Sequence, residues 1–320
     1  MSAGADDIRH ARFDTARVAA LIPTLAHDDP IALFRPDALK RRAEAFLRGF
    51  PGHVSYAVKA NPAPDVLRTL AHAGIHTFDV ASVSEMRAVR DVLPSARLHY
   101  HNPVRSTSEI AEARAFGVAS WSVDRMSELG KLEALPADAQ IAVRLTLDRG
   151  GAAYDFGSKF GADPATCVAL LTEIARRGFT PSMTFHPGTQ CTDAQAWTDY
   201  IAVCAQVTSM AGVTLASLNV GGGFPVQDTS DGAGIAPIFE AIRSATAQEF
   251  GPSAPVLWCE PGRAMVSDGQ WLLLKVKARC GETVFLNDGL YGALGEWRDM
   301  PLPGQRTVFD VGGHARHATP

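Results

Sequence analysis

At 320 residues and 46% hydrophobic content, the chain is long enough for one large core and a smaller appended one. Its 30 basic and 34 acidic residues leave a formal charge of -4, with no extended positive field to recruit a phosphate backbone, so nucleic acid is not an expected partner. No apolar run approaches the roughly 20 residues that cross a bilayer, and the opening MSAGADDIRHARF has acidic residues and lacks an apolar centre, so neither membrane insertion nor secretion is expected and the reading is cytoplasmic.

The first 35 residues hold an apolar run, ARVAALIPTLA, and a strand-like IALF, and are expected to pack with a later β unit. Residues 36–262 then alternate strand-like runs with amphipathic stretches. The runs are Ser55–Val58, Thr77–Val80, Arg97–His101, Ala119–Val123, Ile141–Thr146, Ser182–His186, Leu215–Val220 and Pro255–Cys259. Stretches such as PAPDVLRTLAHAG and STSEIAEARAFG open on Pro, Ser or Asp and close on Gly, as capped helices do. Eight strand–helix units imply parallel pairing, and their regularity favours an α/β fold of the (β/α)8 TIM-type barrel over a doubly wound sheet. From 263 to 320 the rhythm breaks: QWLLLKVKARC and TVFLNDG read as strands with no helix between them, so a second, mostly β domain is expected there.

Barrels draw their chemistry from the C-terminal ends of the strands. There the sequence places Lys59 and Asn61, Asp79, His101 and Asn102, Asp124, Arg144, His186, Gly221 to Gly223, and Glu260 with Arg263. A strand-end lysine buried among cations becomes a nucleophilic amine, and one that snorkels to solvent does not; spacing leaves both readings open for Lys59. The three glycines of NVGGGFP end the seventh run, where barrels commonly bind phosphate, although a tight turn also uses glycines. Glu260 needs a positive partner inside the barrel mouth, either a cationic ligand or a structural ion pair with Arg144. His186, before Pro187 and Gly188, is either a ring-stacking imidazole or a satisfied structural group. The five cysteines are scattered and form no CxxC pair, so neither a disulfide framework nor a metal centre is expected.

Taken together, YAVKAN (Tyr56–Asn61), FDVAS (Phe78–Ser82), SKFGA (Ser158–Ala162), TFHPGTQ (Thr184–Gln190), NVGGGFP (Asn219–Pro225), EPGR (Glu260–Arg263) and NDGLYG (Asn287–Gly292) closely resemble the fold-type III decarboxylases that use pyridoxal 5'-phosphate (PLP), the ornithine, diaminopimelate and arginine decarboxylase family. The resemblance implies PLP as cofactor, Lys59 binding it as a Schiff base, His186 stacking on its pyridine face and Glu260 keeping its ring nitrogen protonated. It places Thr189, Gly221, Gly222, Gly223, Gly262 and Arg263 around the phosphate, Tyr291 among the cofactor-binding residues, Arg144 orienting Glu260, and Asp79 and Glu85 beside the lysine. A carboxylate at the ring nitrogen favours decarboxylation over the racemase relatives, and the motifs look closest to the ornithine/lysine branch, so a basic L-amino acid is the expected substrate, with Asp299 the expected partner of its distal amine.

A homodimer is implied as well. The family's late Cys-Asp pair and GAY-like segment are not in this sequence, so against that family the second β domain is expected to be incomplete, and Cys280 precedes NDGLYG and so is not that cysteine. A complementing chain, a catalytically silent regulatory paralogue and an amino-acid racemase are the alternatives carried forward.

Overall fold

Successive side chains of a strand point to opposite faces, and here the two faces carry different chemistry. Tyr56, Phe78, Leu98, Trp121, Val143, Phe185 and Leu218 are apolar and buried, while their strand neighbours Ser55, Asp79, His99, Ser120, Ser182 and Ser217 are polar and buried as well. A closed sheet hides both sets, with helices covering one face and the barrel interior holding the other. The computed structural model describes residues 18–20, 22–24, 28–147, 160–226, 234–295, 308–309 and 315–316. In it eight parallel strands close in sequence order: β2 (His53–Ala57), β3 (Thr77–Val80), β4 (Arg97–Tyr100), β5 (Ser120–Val123), β6 (Gln140–Leu145), β7 (Thr180–Phe185), β8 (Ser217–Asn219) and β9 (Val256–Cys259), with β9 pairing back to β2.

A helix precedes the barrel and one follows each of its first seven strands: α1 (Pro36–Gly49), α2 (Pro64–His72), α3 (Val83–Val92), α4 (Thr107–Ala115), α5 (Met126–Gly130), α6 (Pro164–Arg176), α7 (Gln195–Ala211) and α8 (Ala236–Phe250). Local sequence sets their ends. Ser106 and Glu109 form a reciprocal capping box at α4, Asp163 caps α6 ahead of Pro164, and α7 stops where Gly212 turns left-handed at φ 64°. The helices bury their apolar faces on the outer side of the barrel, as where Phe46 of α1 meets the rings of Phe224 and Phe239 edge-on at 5.4 and 5.5 Å.

Two compact units divide the chain, Leu39–Gly269 and Met1–Ala38 with Gln270–Pro320. In the smaller unit, β1 (Ile31–Phe34) pairs antiparallel with β10 (Gln270–Leu273), and the Arg35 guanidinium lies 3.8 Å from the centre of the Trp271 ring. QWLLLKVKARC, read as one run, is broken in two. The Asn287 side chain accepts from the Lys275 N–H at 2.9 Å, and beyond that point β11 (Val276–Cys280) forms a hairpin with β12 (Thr283–Leu286). A further pair, β13 (Val308–Phe309) and β14 (Ala315–Arg316), is antiparallel. All five cysteines are free. Among the described residues no helix is long and apolar enough to cross a membrane.

Candidate active site

The C-terminal ends of the strands converge on one mouth. At β2 the chain leaves the sheet earlier than its apolar run suggests: Val58–Ala60 is a 3-10 turn, and Lys59 stands on it, exposed. Of the two readings left open for Lys59, the structure has the one that reaches solvent, because the turn lifts the side chain out of the ladder. The turn is fixed from below by the Tyr56 hydroxyl donating to the Asn61 carbonyl at 3.0 Å, and from ahead by Asn61 Oδ1 accepting the Ala63 N–H at 3.0 Å. Gly262 packs against the same turn, and a Cβ there would sit 3.2 and 3.3 Å from the Cβ atoms of Ala60 and Ala57. The charge of Lys59 bears on Asp79, Glu85, His186 and Glu260.

Glu260 follows β9 and is nearly enclosed. Both His101 Nδ1 and Asn219 Nδ2 hydrogen-bond to its Oε1, and among the described residues none donates to Oε2. Asn219 is held amide-first because its own Oδ1 accepts the Gly221 N–H at 2.9 Å. Burial works to raise the Glu260 carboxyl, but the charge and hydrogen bond of His101, the charge of Lys59 and the Asn219 amide outweigh it and hold the group below the usual carboxylate range. His101 shifts the other way: burial opposes its charge, yet Glu260 and Asp79 overcome this and raise it. Asp79 Oδ1 lies 3.6 Å from His101 Nδ1, too far for a hydrogen bond, and is buried with no partner of its own. Burial, then the neighbouring charge of Glu260, pushes Asp79 well above its ordinary value.

Arg144 is the residue expected to orient Glu260. Its guanidinium lies 5.3 Å from the centre of the Phe160 ring and, among the described residues, acts on Glu260 by charge without a hydrogen bond. The hydrogen bonds on the carboxylate come from His101 and Asn219.

His186 borders the glycine run. Its Nδ1 accepts the Gly188 N–H at 3.2 Å, which puts the ring hydrogen on Nε2. Burial, followed by the charges of Lys59 and Arg144, lowers it to about 3, so the imidazole is neutral. Gly221 and Gly223 have φ of 70° and 79°, and a Cβ on them would lie 2.1 Å from the Phe185 carbonyl and 2.0 Å from the Gly188 carbonyl. A Cβ on Gly222 would lie 2.6 Å from the Glu260 carbonyl and 3.6 Å from His186 Nε2. Glycine is required at the first two of these positions by conformation and at all three by space. Gly223 in turn receives the Cys191 N–H at 2.8 Å.

The barrel thus brings together Lys59, Asp79, Arg144, His186, Gly221 to Gly223, Glu260 and Gly262. Thr189 lies on the turn after β7, and Arg263 opens α9 (Arg263–Val266) directly after the EPG turn. Tyr291 belongs to the smaller unit and is fully exposed. Asp299, and Ser158 and Lys159 of the SKFGA motif, lie outside the described residues. In the sequence His101 is a strand-end polar group and Asn219 part of NVGGGFP, and neither shows its role there, since each finds its partner across the barrel interior.

A family model described as "Pyridoxal-dependent decarboxylase, pyridoxal binding domain" matches residues 37–267. The chain is 30% identical over 297 residues to a lysine/ornithine decarboxylase of Selenomonas ruminantium, an alignment spanning 89% of this chain and 74% of the relative. It is also 31% identical over 277 residues to antizyme inhibitor 2 of Xenopus laevis, spanning 79% of this chain and 60% of that protein. Among solved structures, the lysine/ornithine decarboxylase of Vibrio vulnificus complexed with putrescine superposes with a TM-score of 0.76 at 25% identity, over 88% of this chain and 77% of that one. The chain therefore belongs to the pyridoxal-dependent decarboxylases, on a TIM barrel whose cofactor is pyridoxal 5'-phosphate.

Proposed function

We propose that this chain removes the α-carboxylate of a basic L-amino acid, ornithine or lysine, as CO2 and releases the diamine. The observation that carries the reading is Glu260, a carboxylate held below its ordinary range inside the mouth, with Oε1 taking two hydrogen bonds and Oε2 taking none among the described residues. The residues fit the cofactor. They supply an exposed amine at Lys59, a neutral imidazole at His186 beside a glycine run without side chains, and a buried Asp79 oxygen still without a partner.

Bound there, PLP supplies the electron sink into which the electrons of the broken bond pass. Lys59 would be the residue that holds it covalently. Glu260 would hold a proton at its ring nitrogen, and the neutral imidazole of His186 would lie beside it without adding charge. Backbone amides of Gly221 to Gly223, with Thr189, Gly262 and Arg263, receive the phosphate. Asp79 and Glu85 set the charge around Lys59, while Arg144 adds positive charge beside Glu260. Asp299 is the carboxylate assigned to the distal ammonium of the substrate. The protein is proposed to work in the cytoplasm as a homodimer.

The test is CO2 release from the chain with PLP and each of L-ornithine, L-lysine, L-arginine and meso-diaminopimelate. Release from ornithine or lysine, lost together with the bound-cofactor absorbance in Lys59→Ala, is the expected result. Turnover retained in that variant overturns the assignment. A second reading, a regulatory paralogue without turnover, is favoured by the likeness to antizyme inhibitor 2. Bound PLP with no CO2 from any of the four substrates decides for it. Exchange of the α-proton into deuterated water without CO2 loss would mark a racemase.

A further inference from the structure

Beneath Glu260 the barrel interior holds a polar column that none of these steps uses. His101 Nε2 lies 2.9 Å from Ser120 Oγ, and Ser120 Oγ lies 2.6 Å from His99 Nδ1. The His99 ring packs 4.8 Å from that of Trp258, whose other neighbour is His53 at 4.5 Å. His101 is thus held at both nitrogens, by a carboxylate above and a hydroxyl below.

We infer that His101 is a cofactor-positioning residue: with Asn219 it fixes Oε1 of Glu260 and so turns Oε2 of the same carboxylate to the ring nitrogen of the cofactor. The inference rests on the PLP reading of the mouth. Asn219 Nδ2 lies 3.1 Å from His101 Nδ1, so two donors converge on a single oxygen, and the carboxylate cannot rotate without breaking both contacts. The column fixes the donors. When His101 donates from both nitrogens, Ser120 accepts from it and passes its own hydrogen to His99 Nδ1, leaving the His99 hydrogen on Nε2.

The charged and titratable groups facing His101 select that arrangement. They are Glu260 after β9, Asp79 on β3, His99 on β4 and Arg105 in the following loop. The two carboxyls favour its charged form, whereas Arg105 and burial oppose it. Burial drives His99 down to about 3, so it stays neutral beside His101.

The test compares His101→Phe and His101→Gln with the unaltered full chain. PLP affinity is measured by titrating the cofactor-stripped protein, alongside the melting temperature and an NMR titration of the His101 ring in the stripped protein. His101→Phe is expected to weaken PLP binding by about tenfold or more, the scale of a lost charge-assisted hydrogen bond. His101→Gln, which keeps a neutral donor, should recover most of the loss. The ring should titrate above the ordinary 6.5 and fall back in Glu260→Gln. A folded His101→Phe variant that binds PLP as well as the parent overturns the inference. Should that variant not fold, a ring titrating at or below 6.5 overturns it. A parent chain that binds no PLP overturns the cofactor reading itself, and this inference with it.

Discussion

The inner and outer faces of the same eight strands solve different problems. On β7, Phe185 points outward and stacks on Tyr200 of α7 at 4.7 Å, whereas Ser182 points inward and takes part in a hydrogen-bond set with Gln140 and Ser217. Both are almost completely buried. The outer face is where apolar area leaves water, so stability resides there. Within the barrel, serines, histidines and a glutamine fill the space that bulky branched residues usually take. These groups add little net stability when bonded, yet they allow an ionised carboxylate and an imidazolium to be held at the mouth. Chemistry and stability are separated by a one-residue step along each strand.

The outer face gives the largest expected effect. Phe185→Ala deletes a stacked ring from a packed site and should cost about 3–5 kcal/mol, read by urea denaturation. Gly221→Ala comes next, because its backbone at φ 70° and the Phe185 carbonyl 2.1 Å from a new Cβ both reject a side chain. A left-handed alanine costs roughly 1–2 kcal/mol before the loop shifts at all. The shift moves the Gly221–Gly223 amides, so PLP affinity should fall more than tenfold while the melting temperature changes modestly.

The pair at the mouth sharpens the comparison through pH. Glu260 is lowered from an ordinary 4.5, so its contribution is complete above that pH and is lost as the pH falls toward its folded value. His101 is raised from 6.5, so its contribution is complete below that pH and is lost as the pH rises through its folded value. Stability from this pair should be full between pH 4.5 and 6.5. Removing it with His101→Phe should flatten the pH dependence at both edges, measured as the midpoint of urea unfolding.

The alternation that separates the two faces is also what made the fold legible. Thr77–Val80 is a strand with the same bounds in sequence and structure, and the other seven runs differ from the observed strands by one to a few residues. Lys59, His186, the glycine run and Glu260 were legible because each stands at or just past the end of an apolar run, where a barrel opens. The clamp was not. His101 and Glu260 are 159 residues apart in sequence and Asn219 and Glu260 are 41 apart, so only barrel closure brings them together. Arg144, by contrast, acts on Glu260 by charge, with no hydrogen bond between them among the described residues.

The smallest expected effect lies in the deepest polar layer. Gln140 Nε2 donates to Ser182 Oγ at 3.0 Å and to Ser217 Oγ at 2.6 Å, and the Ser217 hydroxyl also reaches Ser182 at 3.2 Å. Ser182→Ala removes one acceptor but leaves Gln140 its shorter bond to Ser217. A cavity of about 10 Å³ lined by His99, Gln140, Ser217 and Trp258 is about the room one water molecule needs to replace the lost oxygen. The cost should therefore be about 1 kcal/mol, against the several expected for Phe185→Ala three residues away. Combining Ser182→Ala with Gln140→Leu should cost less than the sum of the two, since the second change removes the donor that the first left short of a partner. Additive costs would mean that the inner polar residues act singly, and that the layer is not a connected network supporting the charges above it.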